Sequence, residues 1–343
     1  MKELLRQESF YLFGMGARKK LIFKNHCLFS LEDQRAVACF DERLPVCIQP
    51  SEYRVRIGED MIWENETGVY MRQNGVQTVL AESPVHLPDF GEYRHAAWMR
   101  ALHADILVSI VDGRPVPNPI VYRKPWYRDS AMMCMVLGRT GNLHLVKDWI
   151  LSLDEMYDRN NKGNEESDNL GQALYMISLV SDASHPLVGR IVEEAKRRTE
   201  DGHLTGLSDY APHPVYQTKW LKLGLKRLGL EDHWHVPDVE DSYAELFWMD
   251  GEKGEKEEER KPYDELYPYL SVARAHYRRE MLTEQPPKPC EYPISWEIQA
   301  SEAEYDRNHV FLPHYERTKT GAPHTWHASE LFLYLHDRCD EEA

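Results

Sequence analysis

The feature that most constrains this chain is a change of hydrophobic period near residue 91. Before it, short runs rich in β-branched and aromatic residues follow one another: FYLFG, KKLIFKN, CLFSL, RAVACFD, PVCIQP, YRVRIG, MIWEN, GVYMRQ and QTVLAE. Polar turn formers separate them, and Asn74–Gly75 suits a tight hairpin. The prolines at 84 and 88 end this pattern. Beyond them EYRHAAWMRALHADILVSIV places apolar residues at 97, 98, 101, 102, 106, 107 and 110, the spacing of one helical face. GRPVPNPIVYRKP then carries four prolines in thirteen residues, which forbids helix there. Helical stretches are expected at about 127–139, 142–156, 168–181, 186–199, 213–228, 240–249, 262–282, 295–305 and 324–337. The reading is an antiparallel β domain over 1–90 and a mainly α domain over 91–343, with a solvated charge run at 251–265.

With 343 residues and 42% hydrophobic content, the chain can bury a sizeable core. Its formal net charge of −16 repels phosphate backbones and anionic headgroups, so neither nucleic acid nor a membrane surface is an expected partner. No apolar run reaches the ~20 residues of a membrane helix, and the first twenty residues contain acids where a secretory leader needs an apolar core. The six cysteines, at 27, 39, 47, 134, 290 and 339, form no CxxC pair. They read as reduced thiols of a cytoplasmic protein. P-loop, GxGxxG, GxSxG and HExxH motifs are missing, so NTP, dinucleotide and serine-hydrolase chemistry lose support and no cofactor is expected. Two His with Glu330 at the start of the last expected helix offer a metal reading, but ligands so close together on a helix converge poorly, and no metal is expected.

Four clusters carry the chemistry. In KPWYRDSAMM, Trp126 and Tyr127 offer flat faces to a sugar ring, Arg128 a fork for hydroxyl or carboxylate, and Asp129 a hydroxyl contact or a proton. Capping of its own helix is the alternative role for Asp129. In GNEESDNLGQALYMISL, Glu165, Glu166 and Asp168 crowd one loop, and like charges there raise a pKa if buried. A capping loop, with Ser167 or Asp168 as cap, is the alternative. Gln172 and Tyr175 follow on the helix. The segment LSDYAPHPVYQTKWLKLGL packs Asp209, Tyr210, His213, Tyr216, Gln217, Lys219 and Trp220 into a dozen positions, or else simply covers a core edge. Finally Trp296 and Glu297 open one expected helix, and His324, Trp326, His327 and Glu330 another. Histidines at such starts are commonly structural.

On WYRDSA (126–131) and APHTWHASELFLYL (322–335), the chain resembles the six-hairpin glycosidase superfamily, the (α/α)6 toroids that include glucoamylase-like enzymes and unsaturated glucuronyl hydrolases. The first motif looks like the aromatic-Arg-Asp turn of a sugar subsite, the second like a closing inner helix. The resemblance implies an (α/α)6 toroid, complete or short of its twelve helices, behind a small antiparallel sheet or sandwich. It also implies a glycoside hydrolase acting on a small oligosaccharide through two carboxyls, inverting enzymes placing them about 6.5–9.5 Å apart. Asp129 with Glu166 or Asp168 is the expected pair, with Glu297 and Glu330 behind them. Trp126, Tyr127, Arg128, Gln172, Tyr210, Tyr216, Trp220, Trp296, His324, Trp326 and His327 are the expected binding residues. A phosphorylase, a lyase, an isomerase using His213 or His327, and a non-catalytic carbohydrate-binding protein are the alternatives.

Overall fold

The computed structural model describes residues 10–93, 95–120, 122–239, 241, 243, 296–297 and 322–337. The helix expected at 262–282, most of those at 240–249 and 295–305, and the charge run at 251–265 lie outside the described residues.

Each of the nine apolar runs forms a strand. Strands β1 (Phe10–Phe13), β2 (Leu21–Lys24), β3 (Cys27–Ser30) and β4 (Ala36–Cys39) make one antiparallel meander. Strands β5 (Val46–Gln49), β6 (Arg54–Ile57), β7 (Asp60–Glu64), β8 (Gly68–Gln73) and β9 (Val76–Glu82) make a second. Both meanders follow from short connections that join neighbours. Asn74 and Gly75 have φ of +51° and +78°, the left-handed pair that a two-residue hairpin requires. Phe13, Phe23 and Leu28 of the first sheet share one buried cluster with Val55, Ile62 and Val69 of the second. Glu64 ties the sheets together. Its buried carboxylate accepts the Met15 N–H at 2.6 Å and an Arg18 N–H at 2.8 Å. That pairing satisfies charges the sequence would otherwise leave costly in an apolar setting.

The cysteine expectation is corrected here. Cys27 and Cys39 stand directly opposite each other on β3 and β4 and form a disulfide. A hairpin register brings them face to face, and their 12-residue separation in sequence shows nothing of it. Of the others described, Cys47 is an exposed thiol and Cys134 a buried one.

Beyond the sheets come α1 (Ala96–Val108), the hairpin of β10 (Ile110–Val111) and β11 (Arg114–Pro115), α2 (Tyr127–Arg139), α3 (Lys147–Leu151), α4 (Asp168–Val180) and α5 (Pro186–Arg197). A second hairpin, β12 (Thr199–Glu200) with β13 (His203–Leu204), precedes α6 (Pro214–Leu228). Strand β14 (Trp296–Glu297) pairs with β15 (Ala322–Pro323), directly before α7 (Thr325–Asp337). The (α/α)6 expectation is overturned. Seven α-helices are present among the described residues, too few for a full twelve-helix ring, and three small two-stranded sheets interrupt them. The helical period reports one buried face per segment, but not how many segments pack around a centre. Two expected helices also fail locally. Residues 142–156 yield only a short turn and the five-residue α3, and Trp296–Glu297 is extended.

Helices α4 and α6 cross at close range because both carry glycine at the contact. A Cβ on Gly171 would lie 2.3 Å from the Leu221 nitrogen, and one on Gly224 would lie 2.5 Å from the Leu174 Cβ. This contact sets the spacing of the two helix starts that build the site below.

Candidate functional site

Four helix starts meet around one buried polar cluster. Arg128 comes from α2, Glu166 and Asp168 from the start of α4, Tyr216 from α6 and Trp326 from α7. Arg128 Nε donates to Asp168 Oδ2 at 3.0 Å, and its Nη2 donates to Glu166 Oε1 at 3.1 Å. Tyr243 and Trp326 each bring their ring to 5.7 Å from the guanidinium. Burial works against the Arg128 charge, but the facing Asp168 and Glu166 outweigh it and raise the pKa well above its ordinary value.

Other bonds commit these two carboxylates further. Asp168 Oδ2 also accepts from Gln172 Nε2 at 2.8 Å, and Oδ1 accepts the Ser208 hydroxyl at 2.5 Å. Glu166 Oε1 accepts from Asn161 Nδ2 at 3.2 Å and from the Asp209 N–H. To aim that N–H, Asp209 and Tyr210 both take left-handed backbone, with φ of +48° and +70°. Two adjacent non-glycine residues in that region store strain that the surrounding bonds must hold. Gln217 Nε2 supports Ser208 at 3.0 Å, and Gln172 Nε2 lies 3.4 Å from the Tyr216 hydroxyl. Burial, then Asp168, raises the Tyr216 pKa, so that hydroxyl stays protonated.

Asp129 points elsewhere. The Tyr127 N–H that opens α2 donates to Asp158 Oδ2 at 2.6 Å, while the Asp129 carboxyl takes its own backbone N–H in the first turn of α2. Asp129 faces the start of α7, where the Trp326 N–H and the Thr325 hydroxyl favour its charged form, as does Arg128. Its own backbone N–H adds a fourth, but burial outweighs all four and pushes its pKa up to about 7. His324 Nδ1 lies 3.2 Å from Asp129 Oδ1. That spacing favours an ionised carboxyl, but at 2% exposure the desolvation of Asp129 dominates, and the acid keeps its proton more readily than an ordinary carboxyl. His324 stacks on His327 at 4.9 Å, and Tyr122 approaches it at 5.6 Å.

The remaining expected residues divide. Trp126 is half-buried, with its ring 5.8 Å from Tyr122. Tyr127 turns into the core and donates its hydroxyl to the Glu155 carbonyl, so it offers no sugar face. Trp220 is likewise enclosed, between Tyr175 and Tyr216. Tyr210 is 53% exposed under the Lys162 ammonium. Glu165 is turned to the surface, paired with Arg159 and Arg198. His327 and Glu330 are buried on α7. Trp296 and Glu297 are described only as backbone in β14. Among the described residues, no three His, Cys, Asp or Glu side chains gather to hold a metal ion, and no helix is long and apolar enough to cross a membrane.

Sequence reasoning missed Asp158, Asn161, Ser208, Asp241 and Tyr243. Of these, Asp241 has the most consequence. Its carboxylate accepts from His213 Nδ1 at 2.8 Å and from the N–H groups of Tyr216 and Tyr243 at 3.0 Å each. Burial opposes its charge, but the His213 bond and the two backbone donors win and hold its pKa below the ordinary value. A lone acid beside a charged stretch gives no sequence signal of this role. No family model matches the chain, and neither does any curated protein or solved structure.

Proposed function

We propose that the chain is a glycoside hydrolase-type enzyme acting on a small oligosaccharide, with Asp129 as its general acid. One observation carries the reading: a buried carboxyl with its pKa raised to about 7 sits beside a guanidinium held by two further carboxylates. A carboxylic acid that keeps its proton near neutrality can pass it to a glycosidic oxygen as the bond to the anomeric carbon breaks. Trp126 and Trp326, both half-buried, supply flat faces of the kind sugar rings stack on. Arg128 is held in one orientation by Asp168 and Glu166, which lowers the ordering cost on binding. These supports come from the residues themselves and do not depend on a full toroid, for which the described residues hold too few helices. For compartment, the Cys27–Cys39 disulfide supports an oxidising setting over the cytoplasmic one read from the sequence.

The test is a panel of oligosaccharides incubated with and without inorganic phosphate and read by mass. Hydrolysis products independent of phosphate, lost in D129N, are expected. Products that need phosphate would make it a phosphorylase, and the absence of any product would end the enzymatic reading. A second reading, a non-catalytic carbohydrate-binding protein, has one observation in its favour. Both oxygens of Asp168, and Oε1 of Glu166, are occupied by protein donors, as in structural acids. Calorimetric binding of a glycan that is never cleaved would establish it.

A further inference from the structure

The hydrolase reading leaves a gap. An acid alone does not split water, and Asp168 and Glu166 already accept from Arg128, Gln172, Ser208, Asn161 and the Asp209 N–H. A carboxylate oxygen held by fixed donors is a poor acceptor for a proton from water, and this applies to both oxygens of Asp168 and to Oε1 of Glu166. Glu166 keeps Oε2 outside these bonds and is the rival base, but its other oxygen is committed to Arg128, and a second group on the same cluster is better placed.

His213 has the arrangement such a group needs. It occupies the position just before α6, where a side chain would ordinarily cap the helix, yet it makes no capping bond. Asp241 takes that duty, accepting the Tyr216 N–H in the first turn of α6. The same carboxylate, whose side chain has no exposed surface, holds His213 Nδ1 at 2.8 Å. A buried carboxylate on Nδ1 fixes that nitrogen as the protonated one and leaves the Nε2 lone pair outward. The ring lies flat on Tyr243, with centroids 4.0 Å apart and planes 9° from parallel, so its orientation is fixed as well. Nε2 makes no hydrogen bond among the described residues. Tyr243 in turn faces Arg128 and Trp326, and Trp326 supplies an N–H to Asp129. The imidazole therefore borders the cluster that contains the acid.

We propose that His213, positioned by Asp241, is the general base that activates water in the reaction for which Asp129 is the acid. This rests on the hydrolase reading. The water oxygen forms a bond to the anomeric carbon as His213 Nε2 takes one of its protons. The bond from that carbon to the leaving oxygen breaks, its electron pair stays on that oxygen, and the Asp129 proton joins it. Water is thereby divided across the glycosidic bond. The two side chains return to their starting states by exchanging protons with solvent. His213 is the catalytic residue in this scheme, and Asp241 is a positioning residue.

The test uses α- and β-glycosyl fluorides of glucose, galactose and mannose, whose departing fluoride needs no acid, so the base step is read by itself. On whichever fluoride the wild type turns over, H213Q is expected to lose about 10²–10⁴-fold in kcat, the usual contribution of a general base. D241N is expected to lower kcat with KM little changed. An active wild type with H213Q within twofold of it would overturn this inference and leave the hydrolase reading standing. A wild type inert on every fluoride and every oligosaccharide would fail both. Nitrogen-15 NMR of the imidazole gives a readout that needs no turnover and no variant. A proton on Nδ1 of His213 is expected, and its loss from that nitrogen in D241N. A wild-type ring carrying its neutral-form proton on Nε2 would overturn the assignment even if H213Q proved too unstable to assay.

Discussion

Asp129→Asn should change how the stability of this protein responds to pH. The carboxyl has an ordinary pKa of 3.8 and is pushed up to about 7 by burial in the folded chain. Below pH 3.8 both folded and unfolded chains hold the proton, and the group contributes nothing to the pH dependence. Between 3.8 and about 7 the unfolded chain gives up its proton while the folded chain keeps it. The folded state then binds more protons, so stability falls as pH rises through this window and levels off above it. At about 1.4 kcal/mol for each pKa unit, the loss from pH 4 to pH 8 is about 4 kcal/mol. Asparagine cannot ionise, so D129N removes that slope. It can still accept from the Trp326 N–H and the Thr325 hydroxyl. Urea unfolding of both proteins at half-unit steps from pH 4 to 8.5 measures the difference directly. The stability of D129N relative to wild type should climb by a few kcal/mol across the range, with most of the change below pH 7. A difference that stays flat, or that moves the other way, would refute the claim that this acid is held neutral by burial. It would also remove the reason for calling Asp129 a proton donor. The same variant should be inactive on any oligosaccharide the wild type cleaves, which separates the gain in stability from the loss of function.

Two further perturbations probe the frame. Arg128→Met strips the cation from two buried carboxylates and should cost about 3–5 kcal/mol, read by urea denaturation. Adding E166Q and D168N to that variant should recover much of it, since no unpaired charge is then buried. Gly171→Ala places a Cβ 2.3 Å from the backbone of α6 and should destabilise by about 3 kcal/mol or more, read as a lowered thermal midpoint.

Much of the architecture was legible because it depends on local rules. Alternating β-branched residues and turn formers marked all nine strands, and Asn74–Gly75 marked a hairpin. The prolines between 115 and 125 place the break before α2, whose ends at Tyr127 and Arg139 coincide with the helix expected at 127–139. The helix total was not legible. Periodicity describes each segment's buried face and is silent about closure into a ring. The region 142–156 shows the same limit, since an apolar spacing compatible with helix gave only α3.

The site divides in the same way. Arg128, Asp129, Glu166, Asp168, Tyr216 and Trp326 could be named from the sequence, because large amphipathic and charged residues gathered at helix starts are unusual. Their duties could not. Helix position places Asp129 near its own first turn, but only the fold brings α7 against it. Loop crowding marks Asp168, but only the fold sets it on Arg128. Trp220 and Tyr127, expected at a sugar, are enclosed by the core. Cys27 and Cys39, expected as thiols, are bonded across a hairpin. His213 and Asp241 are 28 positions apart, and Ser208 and Asp168 are 40 apart.

The sequence by itself determined which stretches become strands and helices and which residues are too polar to be buried without partners, because both depend on neighbours along the chain. Only the tertiary structure decided who those partners are. Charge state and hydrogen bonding depend on the dielectric and the donors within a few ångströms. Those are supplied here by four helix starts brought together from distant parts of the chain.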